Sequence, residues 1–239
     1  MSTDAKLIVA LDYPDADSAL AMARALQPLA PWMKVGLELL MHAGPGIVAE
    51  LTAMGLPVFL DGKFHDIPNT VAGAVRGAAA SGARILNVHA SGGLRMMQAA
   101  RQAAEAIIPR PLVIGVTVLT SLSAEELREE AGFARPMEEQ VLALARLAKQ
   151  AGLDGVVASV AECAAIKAAC GTDFVVITPG IRPAAVDDDQ RRVATPRDAI
   201  AAGADFLVVG RPITQAPDPA AACAAIMREI REGEAPAEP

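Results

Sequence analysis

The sequence predicts an α/β protein made of one (β/α)8 barrel, the TIM barrel, in which eight parallel strands alternate with helices. A length of 239 residues suits a single domain of this kind. Eight short apolar runs alternate with Ala-rich segments of helical spacing. The last run is as apolar as the first, which favours a closed barrel, because an open sheet usually has weaker edge strands. An open, doubly wound sheet is the alternative.

The eight predicted strands are rich in Val, Ile and Leu, as expected for parallel strands that are buried on both faces. They recur roughly every 25–30 residues, which leaves room for one helix in each interval. The predicted strands are residues 6–12, 32–37, 57–61, 84–90, 112–118, 155–159, 174–180 and 205–210.

The intervening segments are predicted to be helices, and short polar residues and glycines mark their ends. Side chains that accept hydrogen bonds favour the N-cap, whereas glycine favours the turn that ends a helix. The predicted N-caps are Asp15, Asn69 and Ser123, and the predicted helix ends are Gly55, Gly82, Gly152 and Gly203. Residues 1–239 are predicted to form one domain, with a charged, Pro-containing tail that frays from about residue 232.

Composition excludes several classes of partner. The formal net charge is −7, whereas surfaces that bind nucleic acids or membranes are basic. No uncharged apolar stretch approaches the roughly 18 residues that indicate a membrane span. The three cysteines form no even framework, which indicates buried thiols in a reducing compartment. We therefore expect a cytoplasmic protein that binds neither nucleic acid nor membranes.

Polar side chains gather where the predicted strands end, which is the face that carries the active site in barrels of this kind. The opposite strand ends carry few comparable groups. This distribution favours a functional site over random surface charge. The polar residues at these ends are Asp12, Lys34, Asp61, Lys63, His89, Thr117, Thr120, Ser159, Arg182 and Arg211.

The segment DGKFHDIPNT, residues 61–70, places a lysine among carboxylates at the end of the third strand. In extended backbone Asp61 and Lys63 share a face, about 6–7 Å apart. Nearby carboxylates stabilise the ammonium form, so Lys63 is predicted to be a proton donor. Asp66 lies beyond the strand and can point elsewhere. The alternative is a structural ion pair at a strand end.

The loops after the last two strands, TPGIRP and VVGRPI, predict an anion site. Loops in these positions of a barrel often bind phosphate. Gly210 allows close approach of the backbone, and Arg211 supplies a forked cation for phosphate oxygens. Two ordinary turns are the alternative. The three histidines, His42, His65 and His89, are too scattered along the sequence to indicate a metal site.

Together these segments resemble the bacterial orotidine 5′-phosphate decarboxylase family. The resemblance extends over nearly the whole chain, and the ordered set is specific. It implies cofactor-independent conversion of orotidine 5′-monophosphate to UMP in pyrimidine biosynthesis, without a metal. The matching segments are ALD, MKVGLEL, DGKFHDIPNT, NVHASGG, VLTS, TPGIRP, DQRRVATP and GRPI.

The resemblance also implies roles for individual residues. Lys63 would protonate the product carbanion, within a charged array completed by Lys34, Asp61 and Asp66. Asp66 and Thr70 would reach the neighbouring subunit of a homodimer. The remaining implied contacts are Asp12 and Lys34 with the ribose, Thr120 with Ser121 nearby at the pyrimidine, and Arg182, Gln190, Gly210 and Arg211 around the phosphate.

Two other functions stay open at this point. Magnesium-dependent 3-keto-gulonate-phosphate decarboxylases and hexulose-phosphate synthases share the shorter DxKxxD pattern, although the HDIPNT continuation favours the first family. A non-catalytic protein that binds nucleotide phosphates is the other alternative. The presence of Asp61, Lys63 and Asp66 argues against it.

Overall fold

The computed structural model describes residues 6–29, 31–182 and 194–234, whose eight parallel strands close into a barrel. Each strand pairs with the next in the chain, and the last pairs with the first. The predicted (β/α)8 barrel and its eight strands are confirmed. The strands are β1 (Leu7–Ala10), β2 (Trp32–Val35), β3 (Val58–Phe64), β4 (Ile85–His89), β5 (Leu112–Val116), β6 (Gly155–Val157), β7 (Val175–Thr178) and β8 (Phe206–Val209).

Helices connect successive strands around the outside of the barrel. None of those in the described ranges is both long and apolar enough to cross a bilayer. The helices are α1 (Ala16–Leu26), α2 (Leu37–Ala43), α3 (Gly46–Ala53), α4 (Pro68–Ala80), α5 (Leu94–Glu105), α6 (Ala124–Glu129), α7 (Met137–Gln150), α8 (Val160–Cys170), α9 (Pro196–Ala201), α10 (Arg211–Thr214) and α11 (Pro219–Glu234).

Two of the three predicted helix starts are confirmed. Asp15 accepts a hydrogen bond from the Ser18 amide, and Ser123 forms a reciprocal capping box with Glu126. The prediction for Asn69 is wrong. Helix α4 begins one residue earlier, at Pro68, whose fixed φ suits the first helical position and whose missing N–H needs no partner there.

The predicted helix ends are confirmed by backbone geometry. Each of the four glycines follows a helix and has a positive φ, which residues with a Cβ rarely adopt. Helix α11 continues through Glu234, so residues 232–234 of the expected tail are helical. The four glycines are Gly55, Gly82, Gly152 and Gly203.

Inward-facing strand side chains are apolar in the middle of the barrel and polar at the carboxyl ends of β2 and β3. A compact cluster formed only by strand residues fills the barrel interior. Side chains two residues apart on a strand share a face. The residue two positions beyond buried Trp32 is Lys34, and the one two positions beyond buried Phe59 is Asp61. The barrel thus directs these two charges inward at the carboxyl ends of its strands.

The opposite end of the barrel contains an ion pair that joins β5 to the start of β6. The guanidinium of Arg110 donates two hydrogen bonds to Asp154, at 2.9 and 2.8 Å. The same carboxylate accepts the backbone N–H of Val113 at 2.8 Å. The Asp154 side chain is 14% exposed, so water screens this pair only partly.

We predict that Asp154→Ala lowers the free energy of unfolding by about 2–3 kcal/mol, because three charge-assisted hydrogen bonds are lost. Chemical denaturation measures this change. The control is Glu129→Ala, which removes an exposed pair with Arg128 and should have no measurable effect. Equal stability of the Asp154→Ala variant and the unaltered protein would contradict the prediction.

Candidate active site

A cavity of about 650 Å³ opens at the carboxyl ends of the strands. Its volume is typical of sites that bind small molecules. The structure brings most of the predicted site residues together around it. The predicted residues that line it are Asp12, Lys34, Asp61, Lys63, Thr120, Arg182, Gly210 and Arg211.

Four of these side chains form a row of alternating charge. The Lys34 ammonium lies 3.0 Å from Asp12 Oδ1 and 3.4 Å from Asp61 Oδ2. The other oxygen, Asp61 Oδ1, accepts a hydrogen bond from Lys63 Nζ at 2.6 Å. The Lys63 side chain is 30% exposed and borders the cavity, whereas those of Lys34 and Asp61 are nearly buried. Lys63 is thus the more accessible of the two lysines.

The charges of this row stabilise one another. Burial alone would lower the pKa of Lys34, but the carboxylates of Asp61 and Asp12 raise it above its ordinary value. Burial alone would raise the pKa of Asp61, but Lys34, Lys63 and hydrogen bonds from Lys63 and Asn87 lower it. Both groups therefore remain charged at neutral pH despite their burial.

The backbone at Lys63 differs from the expected extended strand. Its φ is 47°, and it is the only non-glycine residue with positive φ in the described ranges. Strand β3 also continues to Phe64, beyond the predicted end at Asp61. Lys63 and Asp61 therefore do not meet through simple alternation. They meet because the backbone turns at Lys63 and its side chain folds back onto the carboxylate.

Asn87 on β4 is a site residue that the sequence analysis missed. Its amide donates to Asp61 Oδ1 at 2.6 Å and accepts the Lys63 N–H at 2.7 Å. The sequence contains one indication of this role. Asn87 is a polar residue within an apolar strand, two positions after Ile85, in the segment NVHASGG. Alternation directs that position into the barrel.

Asp66 and Thr70 lie apart from the cavity. Asp66 is exposed, and its Oδ1 accepts the backbone N–H of Ile67 at 2.6 Å. Thr70 is exposed on α4. Neither residue lines the cavity. The predicted Gln190 lies outside the described residues.

Arg182 and Arg211, which follow β7 and β8, also line the cavity. Arg182 is buried, and its Nη1 donates to the Ile181 carbonyl at 2.9 Å. Tyr13, Thr214 and Gln215 also line the cavity, and the sequence analysis did not select them. Burial raises the pKa of Tyr13, while a hydrogen bond with Thr214 opposes that rise. The Tyr13 phenol is therefore neutral at physiological pH.

His89 lies at the end of β4, beside the charged row. Its ring centroid is 5.4 Å from that of His65, and its side chain is partly buried. Burial lowers its pKa below the ordinary value of 6.5, His65 and Lys63 lower it further, and Asp61 opposes them. The neutral imidazole is therefore favoured in the folded protein.

The chain matches one family of known proteins over most of its length. The model of the orotidine 5′-phosphate decarboxylase / HUMPS family matches residues 5–226. An orotidine 5′-phosphate decarboxylase of Chromohalobacter salexigens is 55% identical over 230 residues, which cover 96% of this chain and 97% of that protein. One from Chromobacterium violaceum is 55% identical over 229 residues, covering 95% and 92%.

A solved structure supports the same relationship. The crystal structure of orotidine 5′-phosphate decarboxylase from Lactobacillus acidophilus superposes with a TM-score of 0.85 at 41% identity. The match covers 94% of this chain and 98% of that one.

The lowered pKa of His89 predicts a loss of stability in mild acid. The unfolded chain binds this proton from about pH 6.5 downward, before the folded chain does. The contribution of neutral His89 is therefore complete above that pH and is lost as the pH falls toward the folded pKa. Urea denaturation should show the stability of the unaltered protein falling relative to His89→Gln between about pH 7.5 and 5.5.

The matched control is His42→Gln, which removes an exposed imidazole on α2. It measures the general effect of losing one histidine. The free energy of unfolding of the unaltered protein minus that of His89→Gln should decrease in acid. A value that stays constant or increases as the pH falls would contradict the lowered pKa of His89.

Proposed function

Because the chain belongs to the orotidine 5′-phosphate decarboxylase / HUMPS family, we propose that it converts orotidine 5′-monophosphate to UMP in pyrimidine biosynthesis. It is a carboxy-lyase. Relatives named orotidine 5′-phosphate decarboxylase are 53–55% identical over most of the chain. The observation that carries the proposed chemistry is the Lys63 ammonium, which borders the cavity and is hydrogen-bonded to buried Asp61.

Lys63 is the proposed proton donor. When the bond from C6 to the carboxyl carbon breaks, CO2 leaves and the electron pair remains on C6. An ammonium beside C6 stabilises that charge as it forms and then transfers a proton to it. The product is UMP, and the resulting neutral amine recovers its proton from solvent. These reaction steps require neither a metal nor an organic cofactor.

The charged neighbours hold the donor in place beside the cavity. Asp61 lies between two ammonium groups and accepts the hydrogen bond of Lys63 Nζ, and Lys34 compensates the buried carboxylate. Asp66 is proposed to complete the array from the partner subunit. These four residues form the proposed catalytic group, because each sets the charge or position of a group at the reacting carbon.

The proposed substrate contacts extend from the charged row to the two arginines. Asp12 and Lys34 bind the ribose hydroxyls, and Thr120, with Ser121 nearby, faces the pyrimidine. Phosphate binding so far from C6 supplies binding energy that holds the reacting carbon beside Lys63. The proposed phosphate contacts are Arg182, Gln190, Gly210 and Arg211, consistent with the usual phosphate position in the last two loops of a barrel.

A homodimer is proposed, in which Asp66 and Thr70 each contribute to the partner's site. Both are exposed and lie outside their own cavity. Ile67, between them, is 67% exposed, although large apolar side chains are usually buried. A second copy of the chain would cover Ile67 and bring the Asp66 carboxylate to a neighbouring charged row.

The contacts of Asp61 also favour this function over the magnesium-dependent alternative. Its two oxygens face two ammonium groups and the Asn87 amide, so they already have cationic or hydrogen-bonding partners.

The buried cysteines Cys163, Cys170 and Cys223, which form no disulfide, support the proposed cytoplasmic location. Residues 1–239 are proposed to be one domain that binds neither nucleic acid nor membranes.

Lys63→Ala should reduce turnover of orotidine 5′-monophosphate to background, because no other ammonium replaces the proton donor. Affinity for UMP should change little, since the phosphate and ribose contacts remain. Loss of orotidine absorbance measures turnover, and titration calorimetry measures binding. The control is Lys6→Ala, which removes a lysine paired with Glu234 away from the cavity. Turnover of Lys63→Ala near the unaltered rate would refute the role.

Mixing two inactive variants tests the shared site. Lys63→Ala and Asp66→Ala subunits, dissociated and reassociated together, should recover about one quarter of full activity. Random pairing makes half of the dimers mixed, and each mixed dimer has one site with both groups intact.

A mixture of Lys63→Ala and Asp61→Ala is the matched control. Both changes affect the same subunit's part of a site, so no mixed dimer contains an intact site and no activity should return. Failure of the first mixture to recover activity, with dimers present by light scattering, would contradict the contribution of Asp66 across the interface.

A further inference from the structure

Strands β3 and β4 lose their regular pairing beside the charged row. Leu60 pairs with Leu86, and the next pair is Phe64 with Val88. Three residues of β3, numbers 61–63, therefore lie opposite the single residue Asn87. This bulge interrupts the ladder, so backbone groups within it need other hydrogen-bond partners.

The Asn87 side chain supplies partners inside the bulge. It is fully buried, with 0% of its surface exposed. Its Oδ1 accepts the Lys63 N–H at 2.7 Å, and its Nδ2 donates to Asp61 Oδ1 at 2.6 Å. One side chain thus contacts the backbone of the proposed proton donor and the carboxylate oxygen that holds its ammonium.

Chemistry fixes the orientation of this amide. A backbone N–H can only donate, so the Asn87 oxygen must face Lys63. An ionised carboxylate can only accept, so the Asn87 nitrogen must face Asp61. Reversing the amide would place two donors together and two acceptors together. This orientation suits an ionised Asp61.

The conformation of Lys63 needs such support. A left-handed backbone conformation costs a residue with a Cβ on the order of 1–3 kcal/mol. It persists only where the surrounding structure enforces it. Phe64 confines the bulge from another side, since a Cβ added at Gly62 would lie 2.7 Å from Phe64 Cε1. The hydrogen bond from the Lys63 amide to Asn87 holds the turned backbone directly.

We propose that Asn87 is a positioning residue, which fixes both the turned backbone of Lys63 and the Asp61 oxygen that holds its ammonium. The role rests on the proposed decarboxylase function. Asn87 does not line the cavity, so it acts through Asp61 and Lys63 without touching substrate. Its loss displaces the proton donor relative to C6 while leaving the ribose and phosphate contacts unchanged.

Asn87→Ala removes both hydrogen bonds. We expect kcat to fall by about 10- to 100-fold, as misplacement of a catalytic group by about 1 Å does. KM should change far less than kcat, because ground-state contacts with the ribose and phosphate remain. A crystal structure of this variant should show the φ of Lys63 moved from its positive value, an outcome that does not depend on any activity.

Asn87→Asp supplies a pH-dependent rescue. When protonated, Asp at this position both accepts from the Lys63 amide and donates to Asp61, as the amide does. When ionised, it repels Asp61. The deficit in kcat relative to the unaltered enzyme should therefore shrink by about tenfold between about pH 8.5 and 5.5, since one added proton restores the interaction. This variant also decides the question if Asn87→Ala fails to fold.

The control is Gln140→Ala, which removes another buried amide, on α7 and away from the cavity. It should leave kcat and its pH profile unchanged. The inference is overturned if folded Asn87→Ala and Asn87→Asp keep the unaltered kcat, if the Asn87→Asp deficit is independent of pH, or if Gln140→Ala loses as much kcat. An unaltered protein that does not turn over orotidine 5′-monophosphate would instead refute the proposed function, while the φ of Lys63 in Asn87→Ala still tests the positioning.

Discussion

The site depends on one buried carboxylate that is shared between two ammonium groups. Asp61 holds Lys63 at one oxygen and faces Lys34 at the other. Burying any of these charges alone would be costly, and removing one partner of a buried pair typically costs about 3–5 kcal/mol. The charges are therefore stable only as a set. This mutual dependence holds the Lys63 side chain against Asp61 beside the cavity, which is where the proposed reaction requires it.

The buried charges of the site and the contacts that stabilise the fold lie in different parts of the barrel. Apolar side chains fill its interior, and the Arg110–Asp154 pair ties strands together at the opposite end. The carboxyl ends instead contain a bulge, a left-handed lysine and buried charges. Strain of this kind persists only where the surrounding structure enforces it.

Periodicity predicted the fold well, because each strand and helix carries its own local signal. The eight strands, the N-caps at Asp15 and Ser123 and the glycine helix ends follow from such signals. The turned backbone at Lys63 and the role of Asn87 do not, because both arise from a mismatch between two strands that are distant in sequence. Asp66 was expected to lie beyond the third strand, where it could point elsewhere. It follows the end of β3 at Phe64 and does not line the cavity.

A crystal structure of the complex with UMP tests the central claim most directly. The account predicts that Lys63 Nζ lies about 3–3.5 Å from C6 of the pyrimidine while still donating to Asp61, with the phosphate between the two arginines. An ammonium turned away from the ring, or a nucleotide bound with its phosphate at the charged row, would contradict it.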